Sequence, residues 1–307
     1  MSQTHDVIIL GAGPAGLSAA IYAGRAMLDT LVLEKGAPGG QILMTDFIEN
    51  YPGFPEGIVP VELTEGFRKQ AERFGAKIDI DTVKELQREG PLWRLVGNKN
   101  EYLTRAVIIA TGANFRRLGV KGEGKFTGRG VSYCATCDGF FFRDKVVAVV
   151  GGGSWALTEA LFLTKFARQV KVIHRRDQFR AEKILQERTL SHAKIEVIWD
   201  TVIEGISGDT TLKSLTVKNV KSGEQTELEV DGLFVSIGTM PNSEIVKRLV
   251  ELNEWREIVV GKHFETSQTG IFAAGDVTDA CPQQVATAVG SGVAAAIATD
   301  EYLQSLE

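Results

Sequence analysis

The stretch that decides the fold is VIILGAGPAGLSAAIYAGRA, residues 7–26. Its first four residues form a short, unbroken apolar run, which is typical of a buried parallel strand. The motif GAGPAG follows at 11–16, and the residues after it are typical of a helix. Glycines at this spacing let the backbone turn tightly and approach a pyrophosphate at the helix N-terminus. The stretch therefore predicts a strand–turn–helix unit that binds a dinucleotide.

An acidic residue stands where such a unit binds ribose. A second strand is predicted at Thr30–Leu33, and it leads to Glu34, which lies 23 residues after Gly11. A carboxylate at this offset accepts hydrogen bonds from a ribose diol. The first motif is therefore suited to the adenosine half of a dinucleotide.

The same pattern recurs in the middle of the chain. Val146–Val150 is a second β-branched run, and GGGSWA follows it at 151–156. A strand predicted at Gln169–Ile173 leads to the segment HRRDQFR, 174–180, which begins 23 residues after Gly151. Basic residues at the ribose position suit a 2′-phosphate, so the second site is predicted to bind NADP rather than NAD.

Two of the three cysteines lie three positions apart in YCATCDGFFF, residues 133–142. A turn at a helix start brings two Cα atoms within the ~7 Å that a disulfide needs. A structural zinc site needs further cysteines or histidines nearby, and the other cysteine, Cys281, lies 144 residues after Cys137. We therefore interpret Cys134 and Cys137 as a redox couple with no metal, and Asp138 as an acid placed to exchange a proton.

The composition limits the protein classes that fit. The 307 residues, 44% hydrophobic and 24% charged, are enough for about two domains. The formal net charge of −5, with mixed signs along the chain, does not fit a nucleic-acid-binding protein. No apolar run reaches the ~18 residues of a membrane-spanning helix, and the start resembles no signal peptide. We expect a cytoplasmic protein.

Taken together and in order, the motifs resemble the small bacterial-type thioredoxin reductases over essentially the whole chain. The motifs that carry the resemblance are GAGPAG, GGQ, ENYPG, ATGA, CATCDG, a second glycine motif, HRRDQFRA, GTMPN and TGIFAAGD. The resemblance implies FAD and NADPH as cofactors and thioredoxin or a thioredoxin-like protein as the partner. It also implies a homodimer.

The resemblance also assigns residues to each site. For FAD it implies Gly11, Gly13, Pro14, Ala15, Gly16, Glu34, Gly40, Gln41, Asn50, Thr111, Gly112, Gly275, Asp276, Gln284 and Val285. For NADPH it implies Gly151, Gly153, Ser154, Trp155, Ala156, His174, Arg175, Arg176 and Arg180. In the family, the position of Cys137 faces the flavin, that of Cys134 attacks the partner's disulfide, and that of Asp138 supplies the acid.

The expected fold class is α/β, with two Rossmann-like, three-layer domains. Residues 1–115 and 244–307 form the predicted FAD domain, and residues 116–243 form the NADPH domain inserted into it, which carries the cysteine pair. Each domain is expected to carry a small antiparallel β layer. The resemblance implies that the domains rotate between half-reactions, with hinges expected near Asn114–Leu118 and Pro241–Glu244.

Some residues depart from the family pattern or leave alternatives open. Trp155 is bulky for a glycine loop, so its indole crowds the pyrophosphate, stacks on a base or the flavin, or packs into the core. If it blocks NADPH, a donor such as ferredoxin is the alternative; a flavin-bound redox sensor without turnover is another. Cys281 is expected to be buried, with a third redox thiol close to the flavin as the alternative. Phe140–Phe142 are expected to pack in the core, with a partner-docking surface as the alternative. Glu159 and Lys183 are interpreted as solvated helix-face charges.

Overall fold

The computed structural model describes residues 4–44, 47–280 and 282–307. It forms two compact units. The first contains the chain up to Asn114 and again from Met240 onward, and the second spans Phe115–Thr239. The expected domain limits, at 115/116 and 243/244, lie one and four residues from these divisions.

The strands of the described ranges account for most of the elements. In chain order they are β1 (Thr4–Leu10), β2 (Thr30–Glu34), β3 (Lys77–Ile80), β4 (Val83–Glu89), β5 (Leu92–Gly97), β6 (Glu101–Ile109), β7 (Ala113–Phe115), β8 (Val131–Ser132), β9 (Val146–Val150), β10 (Gln169–Ile173), β11 (Ile195–Ile198), β12 (Thr201–Gly208), β13 (Leu212–Asn219), β14 (Gln225–Glu229), β15 (Gly232–Val235), β16 (Thr239–Pro241) and β17 (Ile271–Ala273).

Seven α-helices of the described ranges lie between some of these strands or after the last one. They are α1 (Pro14–Arg25), α2 (Pro60–Arg73), α3 (Glu123–Phe126), α4 (Ala135–Asp138), α5 (Ser154–Leu163), α6 (Lys183–Ser191) and α7 (Val285–Gln304). Short 3-10 turns cover Gly40–Met44, Gly139–Phe142, Glu244–Val246 and Gly275–Val277. None of the helices in the described ranges is long and apolar enough to cross a membrane.

The first unit is built on one sheet with the order β3-β2-β1-β6-β5-β4. The neighbouring strands β3, β2, β1 and β6 are parallel to one another, and β17 also pairs with β6 in parallel. β4, β5 and β6 pair antiparallel, so the expected antiparallel layer is continuous with the main sheet through β6. Alternate residues of β1 enter the cores on the two faces of the sheet.

The second unit repeats this plan. Its parallel sheet has the order β11-β10-β9-β15-β8, and β12, β13 and β14 form a separate antiparallel sheet. β9 and β10 have the predicted bounds, and they pair in parallel with Val149 opposite Val172. Short β-branched runs buried on both faces form such central strands. The α/β fold class is therefore confirmed.

The chain crosses between the units twice, and the two crossings lie side by side. β7 and β16 pair as a two-stranded sheet. Beside it, the Asn114 side-chain amide donates to the side-chain oxygen of Asn242 at 2.8 Å. The backbone N–H of Arg116 donates to the carbonyl of Gly238 at 2.9 Å. Entry and exit of the inserted segment are thus joined by hydrogen bonds.

Two glycines on neighbouring helices give a matched test of the packing in the first unit. A Cβ at Gly24 in α1 would lie 2.6 Å from the backbone oxygen of Phe74, whereas one at Gly66 in α2 meets nothing within 4 Å. We expect Gly24→Ala to destabilise the protein by about 1–3 kcal/mol through overpacking. Gly66→Ala should stabilise it by about 0.5–1 kcal/mol through helix propensity. Denaturant unfolding of the purified protein measures both changes, and equal effects at the two sites would contradict this packing.

Candidate active site

The first glycine loop connects β1 to α1 and is pressed against its neighbours. A Cβ at Gly11, whose φ is +106°, would lie 2.3 Å from the carbonyl oxygen of Ala110. A Cβ at Gly16 would lie 1.9 Å from the carbonyl oxygen of Gly11. Gly13 is open by comparison, with Cα of Gly40 as its nearest neighbour at 3.8 Å. The loop therefore presents exposed backbone at the start of α1, as a pyrophosphate requires.

Glu34 is held beside this loop at the end of β2. One carboxylate oxygen accepts a hydrogen bond from the backbone N–H of Ala12 at 2.8 Å. The other accepts from the backbone N–H of Gly36 at 3.0 Å. The carboxylate is thus fixed next to the glycine motif, where its remaining lone pairs suit a ribose diol.

Contacts link the other predicted FAD residues to this loop. The backbone N–H of Gly39 donates to the carbonyl of Ala12 at 2.8 Å, which places Gly40 and Gln41 beside the motif. Ala15 in α1 contacts Gly275, since a Cβ on that glycine would lie 2.9 Å from its side chain. The Asn50 amide donates to Gln284, the N-cap of α7, at 3.2 Å. Gly11 also contacts Ala110 and Thr111. Thr111 and Gly275 therefore lie beside the first glycine loop, and Asn50 lies beside Gln284.

Asp276 is a mostly buried carboxyl at this region, in the 3-10 turn after β17. No residue of the described ranges donates a hydrogen bond to it, and burial raises its pKa to about 6. A carboxyl that is desolvated without a partner costs free energy unless a ligand supplies a donor. A hydroxyl-rich chain such as that of FAD would supply such a donor. The open backbone at Gly13 and the carboxylate of Glu34 also suit FAD, because they can bind a pyrophosphate and a ribose.

The second glycine loop connects β9 to α5. A Cβ at Gly152 would lie 2.2 Å from the ring of His174, whereas one at Gly153 meets nothing within 4 Å. The His174 ring is buried beneath the loop, and its pKa is lowered mainly by that burial. His174 therefore supports the loop from the core side, and Gly153 marks the open side.

The arginines predicted to bind a 2′-phosphate gather near this loop. Arg175, Arg176 and Arg180 are exposed and form no ion pair with any acid of the described ranges. The backbone N–H of Arg180 donates to the carbonyl of Gly152 at 2.8 Å. The backbone N–H of Glu182 donates to Oγ of Ser154 at 3.2 Å. Three uncommitted guanidinium groups beside an open glycine loop fit a phosphorylated ribose.

Cys134 and Cys137 form a disulfide, with their Cα atoms 5.3 Å apart. Cys134 is the N-cap of α4, and its Sγ accepts a hydrogen bond from the backbone N–H of Cys137 at 3.2 Å. When the disulfide is reduced, an N–H that points at Sγ stabilises the thiolate more than the thiol. The arrangement therefore favours Cys134 as the nucleophile.

Ser132 is a site residue that the sequence analysis missed. Its hydroxyl donates to the carboxylate of Asp138 at 2.6 Å, and it accepts from the backbone N–H of Cys134 at 3.1 Å. Ser132 thus joins the acid to the turn that carries the disulfide, Cys134–Cys137, which we call the redox turn. A serine at the end of a strand carries no distinctive sequence signal.

Glu159 is not a solvated charge, and the prediction was wrong. Its side chain is 6% exposed, and it accepts a hydrogen bond from the backbone N–H of Ala135 at 2.7 Å. It also accepts from the hydroxyl of Ser236. The reason is helical spacing, because Glu159 lies on the same face of α5 as the buried residues Ala156 and Leu163. Lys183, by contrast, is exposed as predicted.

The structure shows the surroundings of two bulky aromatic segments predicted from the sequence, Trp155 and Phe140–Phe142. The indole of Trp155 is half-buried, and it interacts with the carboxyl of Glu159 in a way that opposes the rise in the pKa of that carboxyl. Phe142 is buried at 8% exposure, but Phe140 and Phe141 are 49% and 43% exposed, so core packing is wrong for two of the three. Cys281 lies outside the described residues. Within the described ranges no three His, Cys, Asp or Glu side chains cluster as metal ligands.

The chain is similar to known proteins over nearly its whole length. The family model described as pyridine nucleotide-disulphide oxidoreductase matches residues 5–292. The thioredoxin reductase of Mycolicibacterium smegmatis is 49% identical over 98% of both chains, and that of Treponema pallidum is 45% identical over the full length of both. The crystal structure of thioredoxin reductase from Streptococcus pyogenes superposes with a TM-score of 0.94 at 42% identity, covering 99% of this chain and 100% of that one.

The raised pKa of Asp276 predicts how the FAD-free protein responds to pH. Because its pKa is about 6 in the folded state and 3.8 is the ordinary value of an aspartate, the folded state binds more protons between these values, and stability falls as pH rises through this window. At pH 7 the ionised carboxyl costs up to about 3 kcal/mol. Asp276→Asn removes this cost. We therefore expect the free energy of unfolding of the variant to rise relative to that of the wild type between pH 4 and pH 7. Urea unfolding of both apoproteins measures the difference, and parallel pH curves would contradict it.

Proposed function

The chain belongs to the pyridine nucleotide-disulphide oxidoreductase family and is a disulfide reductase; we propose that NADPH is its electron donor, FAD its bound cofactor and thioredoxin or a thioredoxin-like protein its substrate. The observation that carries the proposal is the redox turn itself. The Cys134–Cys137 disulfide lies in the same compact unit as a glycine loop with three uncommitted arginines. The other unit holds the first glycine loop and the unpartnered carboxyl of Asp276.

In this proposal the second unit binds NADPH. The pyrophosphate lies along Gly151–Ala156, where Gly153 leaves the backbone open. Arg175, Arg176 and Arg180 hold the 2′-phosphate, since guanidinium groups make bidentate, charge-assisted hydrogen bonds to phosphate. His174 contributes by supporting Gly152 and not by direct contact.

The first unit holds FAD. Gly11–Gly16 receive the pyrophosphate, Glu34 the adenosine ribose, and Asp276 a hydroxyl of the ribityl chain, which would relieve the desolvation of its buried carboxyl. FAD held by these residues would supply the redox chemistry that links a hydride from NADPH to a disulfide. The chain's own contribution is to bind both nucleotides and to present the cysteine pair.

The dithiol then carries out thiol–disulfide exchange. The Cys134 thiolate attacks one sulfur of the partner's disulfide, so an intermolecular S–S bond forms while the partner's other sulfur leaves as a thiolate. The Cys137 thiolate next attacks Sγ of Cys134. This step releases the partner as a dithiol and restores the Cys134–Cys137 disulfide, and one electron pair has passed to the partner.

Asp138 acts as the general acid and base in this exchange. The hydroxyl of Ser132 holds its carboxylate beside the redox turn at 2.6 Å. From there Asp138 takes a proton from a cysteine thiol as the thiolate forms and returns one to the leaving sulfur.

The comparisons do not favour the two alternatives, a ferredoxin-type donor and a redox sensor without turnover. Three exposed arginines without acidic partners have an evident purpose only with a 2′-phosphate. Rotation of the units between half-reactions, a homodimer and a cytoplasmic location stay predictions.

Anaerobic titration of the purified holoenzyme with NADPH tests the proposal. The flavin and the disulfide each accept one electron pair, so wild type should consume about two equivalents before NADPH accumulates. The Cys134→Ser/Cys137→Ser double variant should consume about one, because the disulfide is missing. Visible flavin absorbance and absorbance at the NADPH band follow the titration.

Dithionite and Trp155→Ala serve as controls for that titration. If wild type stays yellow with NADPH but bleaches with dithionite, NADPH is not the donor and this part of the proposal fails. Bleaching restored in Trp155→Ala would identify the indole as the obstacle. Turnover with thioredoxin but not with small disulfides such as oxidised glutathione would support the assigned substrate.

Loss of an arginine should change cofactor preference, not chemistry. We expect Arg175→Ala and Arg176→Ala each to raise KM for NADPH about 10–100-fold, because a charge-assisted hydrogen bond contributes about 1.5–3 kcal/mol. KM for NADH and the maximal rate should change little. Lys183→Ala, which removes an exposed cation from α6, is the matched control. An equal loss with NADPH and NADH would show that the arginines do not read the 2′-phosphate.

A further inference from the structure

Glu159 is a buried acid that the exchange reaction above does not use. It lies in the first turns of α5, the helix that follows the second glycine loop, among apolar residues of the core. Its side chain is 6% exposed, and burial is the main cause that raises its pKa. A charged residue is almost never this buried unless its contacts require it.

The carboxyl of Glu159 connects three different segments. One oxygen accepts from the backbone N–H of Ala135, the residue directly after Cys134, at 2.7 Å. The other accepts from the hydroxyl of Ser236, which directly follows β15. The indole of Trp155, one turn earlier in α5, interacts with the same carboxyl and opposes the rise in its pKa. A single side chain therefore joins the redox turn, the end of a central strand and the nucleotide loop.

Glu159 supplies the hydrogen-bond acceptor that the buried backbone N–H of Ala135 needs at the start of the redox turn. The first N–H groups of a helix have no partner within the helix, and that of Ala135 is buried with its residue. A buried N–H without an acceptor is costly, so the turn would shift to find one. The next N–H that matters is that of Cys137, which points at Sγ of Cys134 at 3.2 Å.

We propose that Glu159 is a positioning residue for the disulfide exchange: by accepting from Ala135, it fixes the redox turn so that the Cys137 N–H stays aimed at Sγ of Cys134. The inference rests on the proposed function only in giving Cys134 the attacking role. It depends on the acceptor oxygen and not on a negative charge. The Ser236 hydroxyl either donates or accepts, so the network is satisfied in both protonation states of Glu159.

Two substitutions separate the acceptor from the charge. Glu159→Gln removes the charge and retains an amide oxygen that accepts from Ala135. Glu159→Met has a similar unbranched shape but no comparable acceptor, and its side chain suits a buried site. Thr158→Met, at the exposed neighbouring position of α5, is the matched control.

The readout is the reactivity of Cys134 in the flavin-loaded protein. The enzyme is reduced with dithiothreitol, freed of it, and alkylated with iodoacetamide between pH 5 and 9, with the modified cysteine identified by peptide mass spectrometry. This measurement uses neither NADPH nor thioredoxin, so its outcome is independent of the donor and substrate proposed above. Circular dichroism and flavin content report whether each variant is folded.

We expect the Glu159→Met profile to shift upward by about one pKa unit, so that Cys134 is alkylated about tenfold more slowly at pH 7. Turnover with thioredoxin should fall in parallel, while KM for NADPH stays near that of wild type. Glu159→Gln should remain within about threefold of wild type in both measurements.

Two results would overturn the inference. A Met profile that matches wild type would show that the turn does not need the acceptor. A Gln variant that loses as much reactivity as Met, or a profile that moves to lower pH once the charge is gone, would show that Glu159 acts through its charge. If Glu159→Met does not fold, the Gln variant decides the same question, because a charge effect changes its profile and an acceptor effect does not.

Discussion

Both halves of this protein depend on the close approach of backbone to backbone at a glycine loop. A Cβ at Gly11 would lie 2.3 Å from the carbonyl oxygen of Ala110, and one at Gly151 would lie 2.4 Å from that of Ser236. Each carbonyl belongs to the residue that follows a neighbouring parallel strand, β6 or β15. Any side chain at either glycine would push the loop away from the sheet. The loops are therefore pinned to the strand ends, and they fix where α1 and α5 begin.

The positions of the chemical groups follow from these anchors. Glu34 reaches the first loop through Ala12, and the segment that carries Arg180 reaches the second through Gly152. The redox turn is attached to α5 by Glu159, a helix whose start is set by the second loop. Ligand sites at the carboxyl ends of parallel strands are a general consequence of this topology. Here the same topology also positions a disulfide.

The parts of the fold that could be predicted are those encoded locally. β9 and β10 have the predicted bounds because short β-branched runs between turn residues leave few other structures. α1 begins at Pro14, three residues earlier than its apolar run suggested, because proline is well suited to the first helical position. The two glycine motifs and the cysteine pair were recognisable because their spacing is fixed by the ligand or bond they form.

What could not be predicted depends on tertiary neighbours. Glu159 was interpreted as a surface charge because acids usually are exposed, although its spacing from Ala156 and Leu163 places it on the buried face. The hydrogen-bond donors that make its burial favourable, the backbone N–H of Ala135 and the hydroxyl of Ser236, lie 24 residues before and 77 residues after it in the chain. The role of Ser132 and the direction of the Trp155 indole are likewise set by such partners. Local patterns contain no record of them.

The paired crossings, β7 and β16, have a consequence for the history of the chain. The inserted segment begins and ends on adjacent, paired strands, so its two ends lie side by side. A gene segment that encodes such a module can enter, leave or be exchanged without stretching the polypeptide that receives it. The resemblance between the two units, strand for strand at their glycine loops, is what a duplicated ancestor inserted into its own copy would leave behind.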